Sequence, residues 1–232
     1  MDLETSRVVP HEIVLLNANT TEALTERMVV AARRVADEDI AFRGVTAPFG
    51  HPYISSREGA QVAAEAVDAM AGTLKAAAVP PAALIIACFG DPGLWRARAA
   101  LPFPVLGMAE ASCHVACQVG QRFSIVTGGR AWGPMLEEFV DQIGLSSRLG
   151  SVRTLELTGD AVARDPEAAA SVIALEIAAA ASQDNADVVI LGGAGLVGMA
   201  AHLRDRSELP LLDSLACLVT QATALVRLRN RD

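Results

Sequence analysis

Short apolar runs alternate with longer Ala-rich amphipathic stretches along most of the chain. The first run, over 12–17, leads through a polar loop into a predicted helix over 22–36, and similar runs occupy 83–87, 122–127 and 187–192. Continuous apolar runs of about 4–8 residues are typical of parallel strands covered on both faces. Longer periodic stretches between them are typical of crossover helices. The pattern therefore predicts an α/β protein built on parallel sheets.

The order of strands and helices occurs twice. The strand over 14–17 corresponds to the strand over 123–127, and the segment 83–94 corresponds to 187–196, where each strand ends in a glycine-containing loop. Two such halves related by a pseudo-dyad aim their strand-end loops at one cleft. We therefore expect two pseudo-symmetric Rossmann-like halves with the active site between them.

The repeat also suggests a division of the chain. We expect residues 1–102 and 208–232 to form a first half that carries Cys88. Residues 103–207 then form a second half that carries Gly193.

Cys88 stands where the strand over 83–87 ends. Gly90, Asp91, Pro92 and Gly93 follow it, and a helix is predicted from Leu94. Ligands bind at strand ends in open α/β sheets, and backbone N–H groups and a helix dipole there favour a thiolate over a thiol. Free cysteine is also among the most buried residue types, so an inert core thiol is the alternative.

Several other polar residues could have either a structural or a functional role. The Asn and Thr side chains over 17–21 either cap the first helix or bind a ligand, and His51 and Tyr53 lie in a loop as acid/base candidates. Glu110 near a helix start complements the helix dipole more simply than it acts as an acid. Three arginines are candidates for a carboxylate clamp, although solvated surface arginines are common: Arg96, Arg98 and Arg130.

Composition narrows the classes of partner. The 232 residues are 52% hydrophobic but only 4% aromatic, and the formal charge of −8 argues against nucleic acid and anionic membranes. No apolar stretch reaches the roughly 18 residues of a membrane span. The other cysteines, Cys113, Cys117 and Cys217, lack the spacing of a zinc site, and Cys113 and Cys117 with His114 are expected to pack within one helix. We expect reduced thiols, a cytoplasmic location and a small-molecule substrate, and the low aromatic content leaves homo-oligomerisation open.

Five segments, spread over most of the chain in the same order, resemble the aspartate/glutamate racemase superfamily and its hydantoin and allantoin racemases. The most specific is Ala-Cys-Phe-Gly-Asp-Pro-Gly-Leu over 87–94, and the supporting ones are 17–21, 104–111, 122–127 and 191–196. The resemblance implies a cofactor-independent enzyme without a bound metal that moves a proton on an acidic carbon beside a carbonyl. Members of the superfamily use one cysteine from each half, and Cys88 matches the first of them.

The resemblance also implies a substrate-binding set. Side chains and backbone amides that match it would hold the substrate carbonyl or carboxylate: Asn17, Thr20, Phe89, Gly90, Thr127, Gly193 and Ala194.

The chain departs from the superfamily pattern at Gly193, where Leu-Gly-Cys-Ala-Gly-Met has its second cysteine. Three hypotheses follow. The first is a racemase or epimerase of a hydantoin-like or amino-acid-derived substrate, with Cys88 as one base and water, His51 or Tyr53 serving the other face. The second is a single-thiol lyase or isomerase, by decarboxylation or by covalent addition of the thiolate. The third is a non-catalytic protein that binds a small anion.

Overall fold

The computed structural model describes residues 11–156 and 159–229. Within them the chain forms two four-stranded parallel sheets. The first sheet has the order β2-β1-β3-β4 and the second β6-β5-β7-β8. The strands are β1 His11–Asn17, β2 Ile40–Thr46, β3 Ala83–Ile86, β4 Val105–Gly107, β5 Phe123–Gly128, β6 Leu149–Leu155, β7 Val188–Gly192 and β8 Leu211–Asp213. The predicted α/β class is confirmed, and the two sheets share one strand order, as the internal repeat predicted.

Helices connect the strands and cover the sheets. Ser56 caps α2 by accepting a hydrogen bond from the Gly59 amide (3.0 Å), and Asp165 caps α7 by accepting one from the Ala168 amide (2.9 Å). The helices are α1 Glu22–Val35, α2 Arg57–Lys75, α3 Leu94–Ala100, α4 Met108–Val119, α5 Trp132–Gln142, α6 Gly159–Arg164, α7 Pro166–Asp184, α8 Met199–Leu203 and α9 Ser214–Arg229.

The strand pairings correct the expected division of the chain. β4 was assigned to the second half, but it pairs with β3 in the first sheet. β8 was assigned to the first half, but it pairs with β7 in the second sheet. The chain changes halves after each of these strands, and so both changes lie several residues later than the positions expected at 103 and 208. Apolar pattern does not reveal a partner strand, because pairing is a long-range contact.

α4 and α9 lie between the two sheets. α4 packs against β4 of the first sheet and β7 of the second, and α9 packs against α4 and β3. Small buried residues on α4, among them Ala109, Ala111 and Ala116, allow this close approach. A hydrophobic core consequently runs through both halves, and a second cluster lies within the second half. In the described residues, no helix has the length and apolar character needed to cross a membrane.

Candidate active site

A cavity of about 340 Å³ opens where strands of both sheets end. This volume is within the range of about 300–1,000 Å³ typical of small-molecule sites. Its wall comes from both halves: Asn19, Thr21, Leu24, Arg27, Tyr53, Ile54, Cys88 and Phe89 from the first, and Thr127, Trp132, Val162, Gly193, Ala194 and Leu196 from the second. The predicted residues Cys88, Phe89, Thr127, Gly193 and Ala194 thus share one cavity.

Cys88 and Gly193 occupy equivalent positions in the two halves. Cys88 lies two residues after Ile86, which pairs with the last residue of β4, and Gly193 lies two residues after Leu191, which pairs with the last residue of β8. Each then begins the same turn. The Asp91 amide donates to the Cys88 carbonyl oxygen (3.1 Å), and the Leu196 amide donates to the Gly193 carbonyl oxygen (2.9 Å).

The backbone differs between these two positions. Gly193 has φ +113°, in the region that favours glycine, whereas Cys88 is not among the positive-φ residues of the described chain. A Cβ at Gly193 would lie 3.6 Å from the Thr127 Oγ1, which is ordinary contact distance. Space for a side chain therefore exists at Gly193, but its backbone is unfavourable for one.

One of the backbone amides expected to bind the substrate already has a hydrogen-bond partner within the protein. The Gly193 amide donates to the Ser214 Oγ (3.3 Å), so it is turned towards α9. The structure gives no protein acceptor for the Phe89 and Gly90 amides within the residues it describes. Gly90 itself does not line the cavity, and with φ +118° it sits where a Cβ would collide with the Trp132 ring. Only glycine allows the two halves to approach this closely here.

The environment of Cys88 does not favour its thiolate. Cys88 lines the cavity, but the protein packed around it desolvates the thiolate and raises the pKa of Cys88 to about 12, and the negative charge of Asp91 adds to this effect. The expectation of a lowered pKa was therefore wrong. α3 begins only at Leu94, six residues after Cys88, and the desolvation penalty of a buried thiolate is larger than the dipole effect of a helix end.

Asp91 connects the Cys88 loop to α4. Its carboxylate accepts hydrogen bonds from the Ala109 and Glu110 amides, each 2.8 Å, and so caps the first turn of α4. Burial raises the pKa of Asp91 to about 7, although both amide hydrogen bonds oppose the shift. Gly107 leaves room for this carboxylate, because a Cβ there would overlap it. The carboxylate thus holds the Cys88 loop against the helix between the sheets.

Besides Gly90, two further predicted binding residues lie outside the cavity wall. The Asn17 Nδ2 donates to the Asn19 Oδ1 (2.9 Å) and to the Thr25 Oγ1 (3.0 Å), so Asn17 fixes the loop from within. The Thr20 amide donates to the His51 carbonyl oxygen (3.1 Å), and Thr20 does not line the cavity. Their neighbours Asn19 and Thr21 line it instead. The sequence identified the right loop but could not show which of its side chains point inward.

The structure separates the two acid/base candidates. His51 is exposed and does not line the cavity, whereas Tyr53 does. The Tyr53 Oη reaches the second half, where it lies 3.1 Å from the position of a Cβ at Gly129. Burial raises the pKa of Tyr53, so its phenol keeps its proton at neutral pH.

The three arginines proposed for a carboxylate clamp are paired elsewhere. Arg96 binds Asp68 (3.0 Å), Arg98 binds Glu110 (2.5 Å), and Arg130 binds Glu156. Each lies outside the cavity wall, and so does Glu110. A different arginine, Arg27 on α1, lines the cavity and was missed. The spacing of three residues from Thr21 to Leu24 and again from Leu24 to Arg27, which places the three side chains on one side of the helix, was the available signal.

The remaining cysteines stay away from the cavity. Cys113 and Cys217 are buried, Cys117 is partly buried, and none of them or His114 lines it. Burial raises the pKa of Cys217 to about 12 and that of Cys113 well above its usual value. No group of three or more His, Cys, Asp or Glu side chains in the described residues is arranged to hold a metal ion.

Comparison with known proteins identifies the architecture. The family model of the Asp/Glu/Hydantoin racemases matches residues 13–222. The chain belongs to this family. It is 33% identical to a hydantoin racemase of Pseudomonas sp. (strain NS671) over 220 residues, which cover 95% of this chain and 88% of that protein.

Solved structures of family members agree with the fold. An allantoin racemase from Pseudomonas fluorescens superposes with a TM-score of 0.89 at 31% identity, covering 94% of this chain and 92% of that one. An allantoin racemase from Klebsiella pneumoniae gives 0.87 at 29% identity, covering 94% and 89%. Family membership and these relatives support a racemase or related isomerase.

Proposed function

We propose that the protein is a cofactor-independent racemase or epimerase of hydantoin-like compounds, in which Cys88 handles the proton at the carbon beside a carbonyl. The observation that carries the proposal is the position of Cys88, at a strand end in a cavity closed by both halves. Hydantoin and allantoin, which name the relatives' activities, both belong to this chemical class.

In the first step the deprotonated Cys88 Sγ removes the proton from the acidic carbon. The electron pair of the broken C–H bond moves into the adjacent carbonyl, and an enolate forms. The Phe89 amide, which has no protein acceptor in the described chain and belongs to a residue of the cavity wall, is the donor proposed for the enolate oxygen. A well-placed donor of this kind contributes about 3–4 kcal/mol to transition-state stabilisation.

The second face requires a group other than cysteine. We assign Tyr53 to it, because Tyr53 lines the cavity, its hydroxyl lies beside Gly129 of the second half, and burial keeps it protonated. The phenol gives its proton to the enolate carbon from the side opposite Cys88. The phenolate then regains a proton from water and the Cys88 thiol releases its proton to water, which restores both groups. In the reverse direction the phenolate removes the proton and the Cys88 thiol returns one.

Deuterium exchange tests the role of Cys88. The protein is incubated in D₂O with one enantiomer of a 5-substituted hydantoin, and both deuterium uptake and optical rotation are followed. Uptake with loss of rotation is expected in the wild type. Cys88→Ala should abolish both, whereas Cys117→Ser, which changes a thiol outside the cavity, should not. Equal activity of the Cys88→Ala variant would refute the proposal.

The same assay separates the alternatives. Exchange with retained configuration indicates chemistry on one face only. This is the second candidate function, and the lack of a side chain at Gly193, the position equivalent to Cys88, favours it. Carbon dioxide release from a malonate, without hydantoin exchange, indicates a lyase. Tight binding without any exchange indicates the non-catalytic protein.

Tyr53→Phe tests the second face. We expect deuterium exchange from the enantiomer that faces Cys88 to persist, while loss of optical rotation slows by about 10²-fold or more, as is typical when a general acid is removed. If racemisation continues at the wild-type rate, Tyr53 is not the second proton carrier and a water molecule takes this role.

Gly193→Cys tests whether the cavity still fits a second thiol. A Cβ has room there, but a non-glycine residue held at φ +113° pays about 1–3 kcal/mol in backbone strain unless the loop rearranges. We expect lower stability together with faster racemisation. Correct folding without faster racemisation would show that the second thiol is not presented to the substrate.

A further inference from the structure

We propose that Arg27 makes the protein selective for substrates whose ring substituent ends in a carboxylate. This inference rests on the proposed function and specifies its substrate class. It concerns the part of the substrate that lies away from the reacting carbon.

Arg27 lies on the α1 face that borders the cavity. Thr21, Leu24 and Arg27 follow one another at intervals of three, so their side chains lie on one side of the helix, and all three line the cavity. Thr21 is held by a hydrogen bond from its Oγ1 to the Pro52 carbonyl oxygen (2.8 Å). The start of the helix is therefore fixed against the loop that carries Tyr53, and Arg27 lies in its second turn.

The charge of Arg27 has no partner in the part of the chain that the structure describes. Among the described residues, no carboxylate pairs with it and no hydrogen bond from it is present. Other arginines differ in this respect. Arg98 is bound to Glu110, and Arg153 is bound to both Glu176 and Asp184.

Among the described residues that line the cavity, no residue other than Arg27 carries a formal charge. Cys88 and Tyr53 are neutral at pH 7 because burial raises the pKa of each. Apolar side chains such as Leu24, Ile54 and Trp132 make up much of the remaining wall. An unpaired cation in such a wall, in a protein of net charge −8, is suited to an anionic ligand group.

A guanidinium binds a carboxylate through two parallel hydrogen bonds. The reacting ring must lie at Cys88, so the carboxylate must be carried by the substituent on the acidic carbon. Because Arg27 is exposed, solvent and salt screen part of its attraction, and we expect a preference of about tenfold rather than more.

The experiment compares hydantoin-5-propionic acid with its carboxamide, which has nearly the same shape and no charge. In the wild type, kcat/KM for deuterium exchange should be about tenfold higher for the acid. Arg27→Gln should bring the two substrates to within about twofold of each other, chiefly by lowering kcat/KM for the acid. The preference should also fall as salt rises from 50 to 500 mM.

Arg34→Gln is the matched control. It removes the same charge from the same helix at an exposed position outside the cavity wall. The preference for the acid should persist in this variant. Equal use of both substrates by the wild type, or an equal loss of preference in Arg34→Gln, would overturn the inference.

Binding of both compounds to the Cys88→Ala variant, measured by calorimetry, separates this inference from the proposed function. If the acid binds more tightly and Arg27→Gln removes the difference, but no exchange occurs in the intact protein, the inference holds and the racemase proposal fails. If exchange occurs without a preference for the acid, the racemase proposal holds and the inference about Arg27 fails. If neither compound binds, both proposals are wrong.

Discussion

Alkylation of Cys88 by iodoacetamide should be slow at pH 8 and should accelerate about tenfold per pH unit up to pH 11. Only the thiolate reacts, and burial raises the pKa of Cys88 from an ordinary value of 9.0 to about 12. At pH 8 the thiolate fraction is then about one in ten thousand, compared with about one in ten for an unperturbed thiol.

The net effect on rate is smaller than this ratio. A more basic thiolate is also more nucleophilic, and a Brønsted coefficient of about 0.4–0.5 returns roughly twentyfold over three pKa units. Cys88 in the native protein should therefore react about fiftyfold more slowly at pH 8 than Cys88 in the urea-unfolded protein.

Mass spectrometry of the labelled peptide measures both rates across the pH range. The pH at which the alkylation rate stops rising distinguishes a raised pKa from steric shielding. Steric shielding lowers the rate at every pH but does not change the pH of the plateau. A plateau below pH 9 in the native protein would refute the raised pKa. The catalytic kcat/KM should rise over the same range, since the base form of Cys88 is its thiolate.

Three further predictions follow from contacts near the site. Asp91→Asn removes a negative charge beside Cys88, so alkylation of Cys88 at pH 8 should be faster. Loss of the charged cap of α4 should lower the free energy of unfolding by about 1–3 kcal/mol. An unchanged alkylation rate would contradict the electrostatic contribution of Asp91. Trp132→Phe removes the hydrogen bond from the Trp132 Nε1 to the Ile54 carbonyl oxygen and should lower the free energy of unfolding in urea by about 1–3 kcal/mol. An unchanged free energy of unfolding would mean that water replaces the donor. Arg57→Gln breaks an exposed ion pair with Glu138 and should lower the free energy of unfolding only slightly, by an amount that 0.5 M salt removes. A large loss that does not depend on salt would refute this assignment.

The sequence by itself determined the local elements and their order. Apolar runs such as 83–87 form strands wherever they are buried on both faces, and the loop after β3 places Cys88 at a strand end. Repetition of this order predicted two like halves, and the shared strand order of the two sheets agrees. These features follow from short-range pattern, so they can be predicted without knowing which segments meet.

The tertiary structure decided what depends on contacts between distant segments. β4 and β8 join sheets other than those expected, because strand pairing is not encoded in the apolar pattern of either strand. Burial by surrounding elements raises the pKa of Cys88, although its position beside a helix suggested the opposite. Arg27 reaches the cavity while Arg96 is paired with Asp68, and only the packing of the helices distinguishes these two arginines.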